Sequence, residues 1–161
     1  MKNNNIKFLV LDVDGTLTDG GIYISESGEE MKKFNTKDGR GIMELMKTGI
    51  EVGFISAAVS SKIVKQRASM LKVKYFYSGG ADKVEVLSQW LDEMDLSFSE
   101  VAFIGDDIND AKIMNRVGLS AAPSDALGEL KNIANIVLEK KGGQGCVREF
   151  IDRVFSERFL A

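Results

Sequence analysis

Histidine is missing from the 161-residue chain, and cysteine and proline occur once each. Without histidine there is no Ser-His-Asp nucleophile, no phosphohistidine and no His-ligated zinc. The lone Cys146 can close no internal disulfide and no cysteine metal cluster. Nor does it fit a phosphatase that needs arginine after five intervening residues, because position 152 is Asp152. Long apolar runs are also lacking. The run behind the polar stretch Met1 to Asn5 stops at Asp12, too short for a membrane span and without a signal peptide's cleavage pattern, so a cytoplasmic protein is expected. A net charge of −3 with both signs interspersed leaves no basic stripe for a nucleic acid. What remains, 44% hydrophobic and 28% charged residues, is ordinary globular composition. At this length a single domain, 1–161, can bury roughly 70% of its unfolded surface.

Strands and helices alternate along the chain. Ile6 to Leu11 reads as a buried strand, followed by Asp12 to Gly15. A hairpin is predicted within about 20–36, from Ile22 to Ile24 and Glu29 to Phe34, turning at Ser27-Gly28. Helices are predicted over Gly39 to Thr48, from a cap at Ser60 or Ser61 to Leu71, and after a cap at Asp82. Two more are predicted over Asn109 to Val117 and Cys146 to Phe155. Between them, Val52 to Ile55, Tyr75 to Tyr77, Val101 to Ile104, Leu119 to Ala122 and Ile136 to Leu138 read as strands. Alternation of this kind implies a three-layer, Rossmann-like α/β fold, with a parallel sheet covered on both faces. Ligands in such folds sit beyond the carboxyl ends of the strands, where Asp12, Asp14, Ser56, Asp106 and Asp107 are expected to converge.

The chemistry concentrates at four places. Asp12-Val13-Asp14-Gly15-Thr16 sets two carboxylates after a fully apolar strand, with a glycine that lets the chain turn sharply. A turn-and-cap cluster would also place acids there, but paired like charges are costly unless a cation or a reaction requires them. Gly105-Asp106-Asp107-Ile108-Asn109-Asp110 follows another apolar strand and offers three carboxylates where a helix cap needs one. Hard oxygen donors without histidine suit Mg2+. Ser56 ends a strand where a hydroxyl could hold phosphate oxygens. Lys83 stands at a helix N-terminus, where the macrodipole disfavours a cation, so its ammonium is directed at an anion, either a ligand or Asp82 or Glu85. Together these residues form a phosphoryl-transfer set. Asp12 is the nucleophile and Asp14 the general acid and base, while Lys83 and Mg2+ offset charge on the phosphoryl oxygens.

With those residues in place, the chain resembles the haloacid dehalogenase superfamily, whose four motifs occur in order: Asp12 to Thr16, Ser56, Lys83, and Gly105 to Asp110. The resemblance implies Mg2+ held by Asp12, the backbone carbonyl of Asp14, and Asp106, with Asp107 or Asp110 in support. Too few residues separate Asp14, Ser56 and Lys83 for a cap domain. The hairpin ending in Lys33 to Gly39, and Gly142 to Gly145 with Val147 to Glu149, resemble the capless subgroup acting on phosphates of 3-deoxy-2-keto sugar acids. Octulosonate 8-phosphate and nononate 9-phosphate are substrates of that type. The likeness further implies a homotetramer assembled through the hairpins, with Asn35, Thr36, Lys37, Asp38 and Gly39 lining the substrate pocket and Arg67 meeting the sugar carboxylate. Ala57-Ala58, Met43 and Gln144 depart from the subgroup's Gly-Arg and arginines, which bears on specificity and not on the core chemistry. Two other readings stand beside the enzyme. One is a regulatory or tetramerising module like those fused to acylneuraminate cytidylyltransferases. The other is a phosphoacceptor receiver domain, which Asp14 and the placement of Gly105-Asp106 after the lysine argue against.

Overall fold

The structure, a computed structural model, describes residues 5–59 and 61–159. Six parallel strands form one sheet in the order β5-β4-β1-β6-β7-β8. They are β1 Phe8–Asp12, β4 Glu51–Ser56, β5 Tyr75–Ser78, β6 Val101–Ile104, β7 Leu119–Ala122 and β8 Ile136–Val137. The central strand is apolar on both faces, as a strand covered by helices must be. Leu9 and Leu11 face a core shared with α1 Thr36–Lys47, α2 Ser61–Leu71 and α6 Cys146–Phe155. Phe8 and Val10 face a second core shared with α3 Lys83–Met94, α4 Ala111–Met114 and α5 Gly128–Ile133. The three-layer α/β architecture is therefore as expected. Among the described residues no helix is long and apolar enough to cross a membrane.

The hairpin consists of β2 Tyr23–Ile24 and β3 Glu30–Met31, and its base is closed by a bridge between Thr18 and Phe34. It projects from the sheet with Tyr23, Ile24 and Met31 exposed.

Several boundaries differ from the sequence reading, each for a local reason. Helix α1 starts at Thr36 rather than Gly39, because the Asn35 side chain accepts a hydrogen bond from Lys37 N at 2.8 Å and caps it. The helix expected over Asn109 to Val117 is a tight turn, Ile108–Asp110, followed by the short α4, because Asp107 and Asp110 cap each other reciprocally. Helix α5 was not expected; Leu127, ahead of it, offers no side-chain cap as a start signal. The expected cap at Ser60 lies outside the described residues.

Candidate active site

Strand order determines where the acids meet. Strands β1 and β6 are adjacent and parallel with Leu11 opposite Ile104, so the segments that follow, from Asp12 and from Gly105, leave the sheet side by side. After Asp12 the chain turns tightly. Asp14 remains extended, and Gly15 adopts a φ of +90°, in the region that favours glycine. A Cβ at Gly15 would lie 2.0 Å from Asp106 Oδ2, so the missing side chain is what lets the two acidic segments touch.

One carboxylate oxygen from each of Asp12, Asp106 and Asp110 lies within 4.8 Å of the others. Lys83 completes the group. Its ammonium donates to Asp12 Oδ1 at 2.5 Å and to Asp110 Oδ1 at 2.6 Å, with all three side chains buried. Asp82 places it by capping α3, accepting from Val84 N at 2.8 Å, so that Lys83 is the first helical residue. The expectation that Lys83 points at an anion is met inside the protein, and its partner is neither Asp82 nor Glu85. Asp82 instead receives Lys112 at 2.9 Å.

The electrostatics show a surplus of negative charge. Burial pushes the Asp12 carboxyl well up, and Asp110 adds to it, against the opposing pull of Lys83. Asp106 is raised to about 6, first by burial and then by Asp110. Burial pulls Lys83 down, but Asp12 and Asp110 outweigh it and the net direction is up.

The donor set fits a hard divalent cation. Asp106 Oδ1 is buried with no donor, and Asp12 keeps its Oδ2 beyond the lysine. Oxygens held at about 2.1 Å around one Mg2+ stand no more than about 4.2 Å apart, against the 4.8 Å within which the three carboxylates already lie. Asp110 has a different part. Its Oδ2 accepts from Asp106 N at 3.0 Å and Asp107 N at 3.3 Å, so both its oxygens are engaged in holding the loop and the lysine. Asp107 is exposed and caps the following turn through Ile108 N at 2.6 Å; of the two acids expected in support, the structure brings only Asp110 to the cluster.

Asp14 stands one step outward. Ser56, at the end of β4, donates to its Oδ2 at 3.3 Å, and Lys32 donates to its Oδ1 at 2.5 Å. Sequence reasoning missed Lys32, whose only signal was its place just past β3, between exposed Met31 and Lys33. A cavity of about 260 Å3 opens in front of Lys83, bordered by Ala57, Gly79, Asn109 and Lys112. That is below the range of about 300–1,000 Å3 usual for a whole small-molecule ligand.

The expected substrate residues divide into two groups. Thr36 and Lys37 are exposed at the start of α1. Asn35 ties α1 to the glycine loop through Gly143 O at 3.2 Å and receives Arg67 on its carbonyl at 3.1 Å. Arg67 also lies over the Phe34 ring, 5.1 Å from its centroid. Asp38 and Gly39 are buried, and Asp38 accepts from Arg148 N at 2.8 Å at the start of α6. The carboxylate of Asp38 thus faces the packing of α1 against α6.

Residues 53–151 match the family model of haloacid dehalogenase-like hydrolases. The chain is 40% identical over 151 residues to the 3-deoxy-D-manno-octulosonate 8-phosphate phosphatase KdsC of Escherichia coli strain K12, covering 94% of this chain and 80% of that protein. The crystal structure of the phosphatase of the same name from Yersinia pestis superposes with a TM-score of 0.92 at 39% identity, covering 96% of this chain and 83% of that one. The Moraxella catarrhalis enzyme, solved in complex with magnesium ion, phosphate ion and KDO, matches with a TM-score of 0.89 at 30% identity, covering 94% and 87%.

Proposed function

The chain belongs to the haloacid dehalogenase-like hydrolases, and on that premise we propose that it is an Mg2+-dependent phosphatase of a 3-deoxy-2-keto sugar acid phosphate, octulosonate 8-phosphate first and nononate 9-phosphate second. The observation that carries this reading is the meeting of Asp12, Asp106, Asp110 and Lys83 at the ends of two adjacent strands. Asp12, Asp106 and the backbone carbonyl of Asp14 would hold the cation. Bound there, it supplies Lewis-acid polarisation of the phosphoryl oxygens.

The chain's own residues do the rest. An Asp12 oxygen bonds to phosphorus as the ester bond breaks, and Asp14 gives its proton to the departing alkoxide. Water then attacks the aspartyl phosphate, returns a proton to Asp14, and frees Asp12 and inorganic phosphate. Ser56 and Lys83 contact the transferred group in this scheme. Electrostatics must supply most of the acceleration, since a general acid is worth about 10²–10⁴ and uncatalysed monoester hydrolysis is among the slowest reactions known.

The described elements support a single capless domain: only the hairpin and α1 stand between β1 and β4, and only α2 and β5 between β4 and α3. Asn35, Thr36, Lys37 and Arg67 remain the proposed substrate side, while the buried Asp38 and Gly39, expected there, pack behind them instead. A hairpin with four exposed apolar residues, Ile22, Tyr23, Ile24 and Met31, supports closure by neighbouring copies in a homotetramer.

The test is kcat/KM over octulosonate 8-phosphate, nononate 9-phosphate and simple sugar phosphates with Mg2+. The expected ranking has the eight-carbon acid first, with turnover abolished by EDTA and by Asp12→Asn. Equal rates on every ester would remove the substrate assignment. No turnover on any of them would favour a regulatory module instead.

A further inference from the structure

Lys32 has no part in the scheme above, yet it is among the least exposed cations in the molecule. Only 1% of its side chain is exposed, against 60% for its neighbour Lys33, which pairs with Asp19 at 2.8 Å on the outside. A lysine stem is buried so fully only where its ammonium has an anion to meet. The partner here is Asp14, at 2.5 Å, eighteen positions earlier in the chain. Asp14 is the site carboxylate that stands outside the three-acid cluster. Its second oxygen receives the Ser56 hydroxyl. The carboxyl group is therefore clamped from two sides, by β4 and by the hairpin, while the transferred phosphoryl group already has Lys83 as its cation.

Resting on the phosphatase reading, we propose that Lys32 is a positioning residue for Asp14: together with Ser56 it holds that carboxyl at the ester oxygen. In the first step the Asp12 oxygen–phosphorus bond forms and the ester phosphorus–oxygen bond breaks. The alkoxide takes the Asp14 proton, and the contacts from Lys32 and Ser56 keep that carboxyl in place as it does so. Preorganisation of this kind lowers the barrier because the acid does not have to be brought to the ester oxygen. The hairpin thereby becomes part of the catalytic apparatus as well as a surface feature.

The experiment compares wild type, Lys32→Met and Lys32→Arg on two Mg2+-dependent substrates, octulosonate 8-phosphate and 2,4-dinitrophenyl phosphate. The parameter is kcat/KM, which reports only steps up to loss of the alcohol. The sugar alkoxide needs a proton to leave and dinitrophenolate does not. For Lys32→Met we expect kcat/KM on the sugar phosphate to fall at least ~10-fold, part of the ~10²–10⁴ a general acid supplies, with the dinitrophenyl ester unchanged. Lys32→Arg should recover most of the loss. An equal fall on both esters would overturn the proposal in favour of direct phosphate binding or a damaged fold, and no fall on either would make Lys32 a bystander. Wild type inactive on both esters would count against the phosphatase reading itself, a different result from any of these.

Discussion

Asp106 carries a charge that the metal-free fold resists. Its carboxyl is raised to about 6 by burial and by Asp110, above the unfolded value of about 3.9. The folded state then binds more protons than the unfolded one between those values, so stability falls as pH rises from about 4 through 6. The partly buried Glu100, held at about 2 by Lys7 and Ser97, acts in the opposite direction between about 2 and its unfolded value of about 4.3, and so meets only the lower edge of that window. Thermal unfolding in EDTA from pH 4.5 to 7.5 should show the decline, and Asp106→Asn, neutral throughout, should lessen it, the remainder coming from Asp12 and Asp38, whose buried carboxyls are also raised. A decline of the same slope in the variant would place its origin elsewhere. The buried Lys83 with its two acids contributes little net stability of its own, since desolvation offsets most of the attraction. Its value is chemical. At this scale the acids were legible because each follows an apolar strand; Lys32 was not, because its role depends on a hairpin folding back over a turn. The split between Asp107 and Asp110 was equally hidden, since it rests on which carboxylate caps the loop.

The elements that hold the site are short turns locked by side chains. Asp107 and Asp110 cap one another, Asn35 caps α1, and Asp82 caps α3. The glycine loop after β8 packs directly on the Asp12 turn: a Cβ at Gly142 would fall 1.8 Å from Gly15 O, and Gly143 N donates to Thr16 O at 3.0 Å. Sequence reading located this loop but had no means of telling what it leans on, because that contact spans most of the chain. The hairpin presents the opposite situation. Its strands are two residues each, too short to be stable alone, and half or more of the area of Ile22, Tyr23, Ile24 and Met31 is exposed. If copies of the chain cover this face, Ile24→Lys with Met31→Lys should yield a smaller species in light scattering while the circular dichroism stays native. An unchanged mass would show that the hairpin is not the contact.

At the scale of the whole molecule the fold was largely legible. Both cores follow from the alternation of Phe8, Leu9, Val10 and Leu11 along one strand and from helices that return the chain in parallel. Strand order was not written in any single segment, yet order is what makes β1 and β6 neighbours and brings Asp12 to Asp106. Substrate identity stays furthest from the sequence, since Met43, Gln144 and Ala57-Ala58 offer no guanidinium to read out a carboxylate. The central claim is that acids from two strands serve one cation. Calorimetric titration of Mg2+ into the metal-free protein at pH 7.5 tests it most directly. The account predicts one site per chain in wild type and binding weakened by an order of magnitude or more, as for a lost ligand, in Asp106→Asn. Equal Mg2+ affinity in the two proteins would contradict it.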